Sequence, residues 1–231
     1  MADTPDADPQ VTIRALTKTE KLMARAMTAA WAAPMFDVVI EVDMQMALDR
    51  RSPGITLTDV ILQACARTLI RFPGINAHYR DDAVHQFATA NVGLAVSSAK
   101  GLTVPVVHGA EGLTLAQIAD RRRALVAKVR DGKIAISEVM GGTFTVSNLG
   151  MFDVRRFTAI LNPPQVAILA VGATNMRQVW NNGAPEWRQI CDLSLTCDHR
   201  AVDGAAAAAF LTALKAALQS PAEPGEKQSE G

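Results

Sequence analysis

Ile190-Cys191-Asp192-Leu193-Ser194-Leu195-Thr196-Cys197-Asp198-His199-Arg200-Ala201-Val202-Asp203-Gly204 changes period halfway along. The first half alternates through Leu193, Leu195 and Cys197, which marks a strand; the small residues from Gly204 to Ala209 then predict a helix. His199 therefore falls at a strand-to-helix turn, where a side chain is held firmly yet can reach a cleft. Asp203 follows four residues later, near the helix N-terminus, where free N–H groups and the helix dipole favour a carboxylate. Gly204 permits close backbone approach. Histidine is the side chain best matched to proton transfer near neutral pH. The alternative is a turn histidine satisfied by a carbonyl, with Asp203 a plain helix cap. These residues alone leave both readings open.

Outward from this turn, helix and strand signals alternate. Thr17 with Glu20 forms a capping box for a helix to about Trp31, and Thr56 with Asp59 opens a second, stopped by Phe72-Pro73-Gly74. Thr114 with Gln117 starts a third, to about Arg130, and the last helix runs from about Asp203 to Gln219. Residues 35–43 alternate, with Phe36, Val38, Ile40 and Val42 on one face. Strand-like runs cover 83–87, 91–98, 102–107, 143–148 and 166–171, and 177–180 and 186–197 flank a turn at Asn181-Asn182-Gly183. The pattern predicts an α/β fold with a mixed sheet. Residues 1–10 and 220–231, rich in Pro, Gly and charge, are expected to be disordered tails around a domain at 11–219.

Among 231 residues, 23 basic and 23 acidic side chains balance, which argues against a nucleic-acid or anionic-membrane surface. Arg121-Arg122-Arg123 reads as a solvated helix face. No apolar run is long enough to span a bilayer. Cys65, Cys191 and Cys197 lack metal-ligand spacing and read as small core residues, reduced as in a cytoplasmic protein; no metal is expected. Trp31, Trp180 and Trp187 are too scattered for a base-stacking platform.

His199-x-x-x-Asp203-Gly204 closely resembles the active-site signature of the dihydrolipoyl acyltransferases, the catalytic cores of 2-oxo-acid dehydrogenase complexes; chloramphenicol acetyltransferase shares its core. Three further stretches resemble the same family, in its order: Gly101 to Val107, Gly142 to Phe152, and Phe157 to Gln165 with Ala167 to Gly172. The resemblance as a whole spans roughly residues 12 to 219, and four motifs in order carry it, whereas His-x-x-x-Asp-Gly alone would be weak.

The resemblance implies a chloramphenicol acetyltransferase-like two-layer sandwich, trimeric, with active sites at subunit interfaces. It implies that His199 is the general base, that Ser147 stabilises the tetrahedral oxyanion, and that Asp203 holds the loop without moving a proton. A coenzyme A thioester, acetyl-CoA above all, is the implied co-substrate. His78, His85 and His108 lie outside the motifs and read as surface or loop histidines; Asn162-Pro163-Pro164-Gln165 resembles a stretch near the family's channel.

Departures from the family shape the functional expectation. No lipoyl domain precedes the core, so the chain is expected to carry no covalent lipoyl group, and the polar C-terminus predicts a bare trimer without a larger shell. Glu20, Met35 and Asp153 stand where many relatives have Arg, His and Gly, which leaves the partner of Asp203 open. The leading expectation is a stand-alone acetyltransferase acting on a small-molecule hydroxyl or thiol, such as a tetronate-type intermediate in antibiotic biosynthesis. The second is the dihydrolipoamide acyltransferase core of a dehydrogenase complex, served by a lipoyl domain on a separate chain; in either reading the acyl donor is free coenzyme A thioester or an acyl carrier protein in trans. A third is a trimeric scaffold without catalysis.

Overall fold

Three threonine caps start helices where the sequence places them. In a computed structural model that describes residues 11–98, 101–181 and 183–221, the Thr17 hydroxyl accepts from Glu20 N–H and begins α1 (Lys18–Ala30). Beyond β1 (Met35–Asp43) comes α2 (Gln45–Asp49), a single turn that no periodicity announces. The Asp59 carboxylate accepts from the Thr56 N–H and hydroxyl, each at 2.7 Å, and α3 (Leu57–Leu69) follows. The next pair, β2 (Ala77–Arg80) and β3 (Ala83–Gln86), turns on Asp81 and Asp82, both at φ +54°. Positive φ at both central residues is what a two-residue hairpin demands, and aspartate tolerates it.

The runs expected at 91–98 and 102–107 each break in two, giving β4 (Val92–Leu94), β5 (Val96–Ser98), β6 (Gly101–Thr103) and β7 (Val106–Val107). The order then runs α4 (Leu115–Asp131), β8 (Phe144–Asn148), β9 (Ala167–Val171), β10 (Asn175–Asn181), β11 (Ala184–Asp198) and α5 (Gly204–Leu218). The expected tails at 1–10 and beyond Pro221 lie outside the described residues.

Seven strands form one mixed sheet in the order β1-β11-β9-β8-β4-β7, with β10 also on β11. The β4–β8 and β8–β9 pairs are parallel and the others antiparallel. Register sets the core. Phe36, Val38, Ile40 and Val42 lie opposite Cys197, Leu195, Leu193 and Cys191, all on the face that α5 and α3 cover. The three cysteines are fully buried, as their spacing suggested. The opposite face is covered by irregular chain, where Ala159 and Leu161 pack with Ile168 and Ala170. There the backbone closes tightly: a Cβ on Gly172 would sit 1.9 Å from the Arg155 carbonyl oxygen.

The arginine run departs from its sequence reading. Arg122 turns inward and donates from Nε and Nη2 to Asp59 at 2.6 and 3.1 Å, and Asp59 is fully buried. A helix face read as solvated thus carries the ion pair that ties α4 to the cap of α3.

Candidate active site

His199 is set by the end of β11. Its N–H donates to the Pro34 carbonyl at 2.9 Å, and its ring lies 4.6 Å from that of Phe36, tilted by 46°. The preceding Asp198 carbonyl accepts the N–H groups of Ala201 and Val202, both at 3.0 Å, and this closes the turn. Asp198 is only 3 % exposed, and a carboxylate so buried needs charge-assisted partners. Arg200 supplies them: backbone N–H at 3.0 Å, Nε at 2.9 Å and Nη2 at 2.6 Å. The same guanidinium lies 4.2 Å over the Tyr79 ring centroid. His199 itself is exposed.

Asp203 is the N-cap of α5, its Oδ1 accepting from Ala206 N–H at 2.7 Å. Its carboxylate serves the helix end. Gly204, expected to permit close approach, has nothing within 4 Å of a Cβ position inside this chain. Glu20, whose place in the sequence left the partner of Asp203 open, is bound to Arg14 at 2.9 Å and to Thr17. The guanidinium of Arg14 and the Thr17 donors hold its carboxyl down at about 2.

Ser147 stands elsewhere. It is half-buried near the C-terminal end of β8, beside a cleft of about 330 Å³ whose apolar wall includes Leu94, Leu102, Val126, Met151 and Phe152. Asn148 anchors the strand end: its Nδ2 donates to Thr58 Oγ1 at 3.2 Å, and its Oδ1 accepts from Gly150 N–H at 2.8 Å. Two residues earlier on the strand, the Thr145 hydroxyl donates to Gln165 Oε1 at 2.6 Å, a buried link that joins two of the sequence motifs.

Strand register fixes the separation of the two residues. Ser147 pairs with Ala170, which pairs with Ser194, so His199 lies two strands across and five residues further along the chain, just past the end of β11. At about 4.8 Å per strand and 3.3 Å per residue, that is roughly 19 Å. One chain does not bring them together.

Two features escaped the sequence. His78, read as a surface or loop histidine, is 7 % exposed; its ring meets Phe87 edge-on at 4.5 Å, and Nε2 lies 2.9 Å from the Gly142 carbonyl oxygen. Tyr79, adjacent to it, faces the guanidinium of Arg200 in the His199 turn. Its strand is four residues long, too short for alternation to be visible, and the Asp81-Asp82 turn was the only local signal.

The sheet order, the helices on one face and the His199 turn define the fold of chloramphenicol acetyltransferase, which superposes with a TM-score of 0.58 at 14% identity over 84% of this chain and 94% of that one. Residues 8–225 match the family model of the 2-oxoacid dehydrogenases acyltransferase catalytic domain, and the chain belongs to that family. It is 34% identical over 209 residues to the dihydrolipoyllysine-residue acetyltransferase component of the pyruvate dehydrogenase complex of Rickettsia bellii, covering 86% of this chain and 50% of that protein. The chain thus spans about half the length of the curated relatives it matches. A probable dihydrolipoamide acetyltransferase from Listeria monocytogenes superposes with a TM-score of 0.90 at 27% identity, over 94% of this chain and 98% of that one. The dihydrolipoamide acetyltransferase of Azotobacter vinelandii, at 28% identity and a TM-score of 0.87, covers 94% and 97% respectively. It was studied for the role of one serine, one histidine and one asparagine in its catalytic mechanism; the serine precedes the histidine by 52 positions and the asparagine follows it by four.

Proposed function

We propose that this chain transfers acyl groups between coenzyme A and a dihydrolipoyl arm, as the catalytic core of a 2-oxo-acid dehydrogenase-type acyltransferase, with His199 as general base and Ser147 as oxyanion donor. The observation that carries this reading is spacing within a shared fold. Ser147, His199 and Asp203 stand at the same separations, 52 and four, as the three residues studied in the Azotobacter enzyme. The names of the matched relatives favour the dihydrolipoyl acceptor over the small-molecule acceptor expected first from the sequence, and they lend no support to a tetronate substrate.

The chemistry follows from the groups available. His199 takes the proton of one thiol; the thiolate attacks the thioester carbonyl of the other partner, and a tetrahedral oxyanion forms. The Ser147 hydroxyl donates to that oxyanion. Collapse expels the second thiolate, which recovers the proton from the His199 imidazolium, so the enzyme ends as it began. Asp203 holds the α5 end of the turn.

The roughly 19 Å between Ser147 and His199 within one chain supports a site shared between subunits of a homotrimer. Met151 and Phe152 line the cleft beside Ser147 and are exposed by 70 % and 69 %, apolar surface suited to cover by a second copy. Acetyl-CoA and dihydrolipoamide, assayed by release of free CoA with wild type and His199→Ala in parallel, test the reading. The expected result is turnover by the wild type, reduced at least about 100-fold in the variant. A wild type inert toward dihydrolipoamide, or a variant that keeps its rate, contradicts it.

A further inference from the structure

We propose that Tyr79 is a positioning residue for His199: its ring holds the Arg200 guanidinium, which holds the buried Asp198 carboxylate, which fixes the turn carrying the base. The inference rests on the acyl-transfer reading above and names a residue outside all four sequence motifs.

Each link has a physical reason. Asp198 is the residue before the base, and its carbonyl takes two turn N–H groups, so a shift of Asp198 moves His199. Its carboxylate, 3 % exposed, is kept in place by three N–H donors of Arg200 at 2.6–3.0 Å. The Arg200 side chain is 42 % exposed, and a long side chain open to water swings unless its second face is held. Tyr79 is that second face, with Cζ 4.2 Å from the ring centroid, inside the range of a cation–π contact.

Tyr79 is itself anchored at both ends. Its N–H donates to the Pro164 carbonyl at 2.9 Å, and its hydroxyl donates to Asp82 Oδ1 at 3.1 Å. Pro164 belongs to the Asn162-Pro163-Pro164-Gln165 stretch, whose Gln165 accepts from Thr145 on β8. The β2–β3 hairpin thus braces the His199 turn against the segment that also braces the Ser147 strand. Among the described residues, Tyr79 forms no hydrogen bond or ring contact with His199 or Ser147, so its influence runs through Arg200.

The test compares Tyr79→Leu, which removes the ring, with Tyr79→Phe, which keeps it and deletes the bond to Asp82. Steady-state kinetics with acetyl-CoA and dihydrolipoamide are paired with the rate of diethyl pyrocarbonate labelling at the His199 peptide, with the His85 peptide as internal reference. A misplaced base lowers rate without weakening binding. Tyr79→Leu is expected to lose about three- to tenfold in kcat with both KM values within about twofold. Its His199 labelling rate changes while that of His85 does not, and Tyr79→Phe behaves as wild type in all three. Should Tyr79→Leu fail to fold, Tyr79→Met carries the same expectation. Wild-type kcat and labelling in the ring-deleted variant overturn the proposal; so does equal damage from Tyr79→Phe, which would assign the role to the hydroxyl. Labelling needs no turnover, so an inactive wild type refutes the acyl-transfer reading while the positioning role is still measured.

Discussion

Asp203 shows how one carboxylate can be read two ways and how geometry decides. Its bond to Ala206 N–H makes it a helix cap, so Asp203→Ala is expected to lower unfolding free energy by about 1 kcal/mol, whereas Asp203→Asn keeps the cap and nearly all of it. Urea denaturation of the two variants checks this; equal loss in both would show that charge, not capping, matters. The same side chain was legible in the sequence as a cap and as a loop-holding residue, because both need a short acceptor at a helix start. His78 was not legible. Nothing in Asn76-Ala77-His78-Tyr79 marks burial, which comes from Phe87 and Gly142 far along the chain. Burial lowers the His78 pKa below the ordinary 6.5, against the opposing bond to Gly142. The sign follows: below 6.5 the unfolded chain binds a proton that the folded chain resists, so stability is full above that value and falls as pH drops through the folded pKa. Thermal melts from pH 7.5 to 5 are expected to slope less in His78→Gln than in wild type, and parallel slopes would contradict the assignment.

At the level of elements, capping boxes located α1, α3 and α4, the small-residue run after Asp203 located α5, and alternation located β1, since these signals are local. The short strands β2 and β4 to β7 were blurred, because a two- to four-residue strand is defined by its partner and not by its own period. Arg122 is the instructive case. Its neighbours Arg121 and Arg123 are exposed, bound to the His108 carbonyl and to Asp120, and only the fold shows Asp59 beneath Arg122. Removing the guanidinium leaves a buried carboxylate unpaired, so Arg122→Ala is expected to cost about 3–5 kcal/mol, more than Arg123→Ala by several-fold. Chemical denaturation of the two variants decides, and equal small losses would refute the buried pair. Gly172 is constrained more severely: a methyl there meets the Arg155 carbonyl at 1.9 Å, so Gly172→Ala displaces the chain covering the second face. A loss above about 2 kcal/mol is expected, from overpacking against backbone that has no rotamer to change.

For the whole molecule, family and fold were legible because four motifs occur in order, and each motif occupies a different strand, turn or covering loop of one sheet. The acceptor was not, since what favours a dihydrolipoyl arm is the likeness to named relatives and not a residue pattern. The central claim is that a working site needs His199 of one subunit and Ser147 of another. The most direct measurement is subunit complementation: His199→Ala and Ser147→Ala chains, each purified, are unfolded, mixed in equal amounts, refolded together and assayed with acetyl-CoA and dihydrolipoamide. The account predicts that each variant refolded alone is nearly inactive, while the mixture regains a substantial fraction of wild-type turnover, because some interfaces then pair an intact His199 with an intact Ser147. A mixture no more active than its components, in material shown by mass to contain both chains in one oligomer, would contradict a shared site.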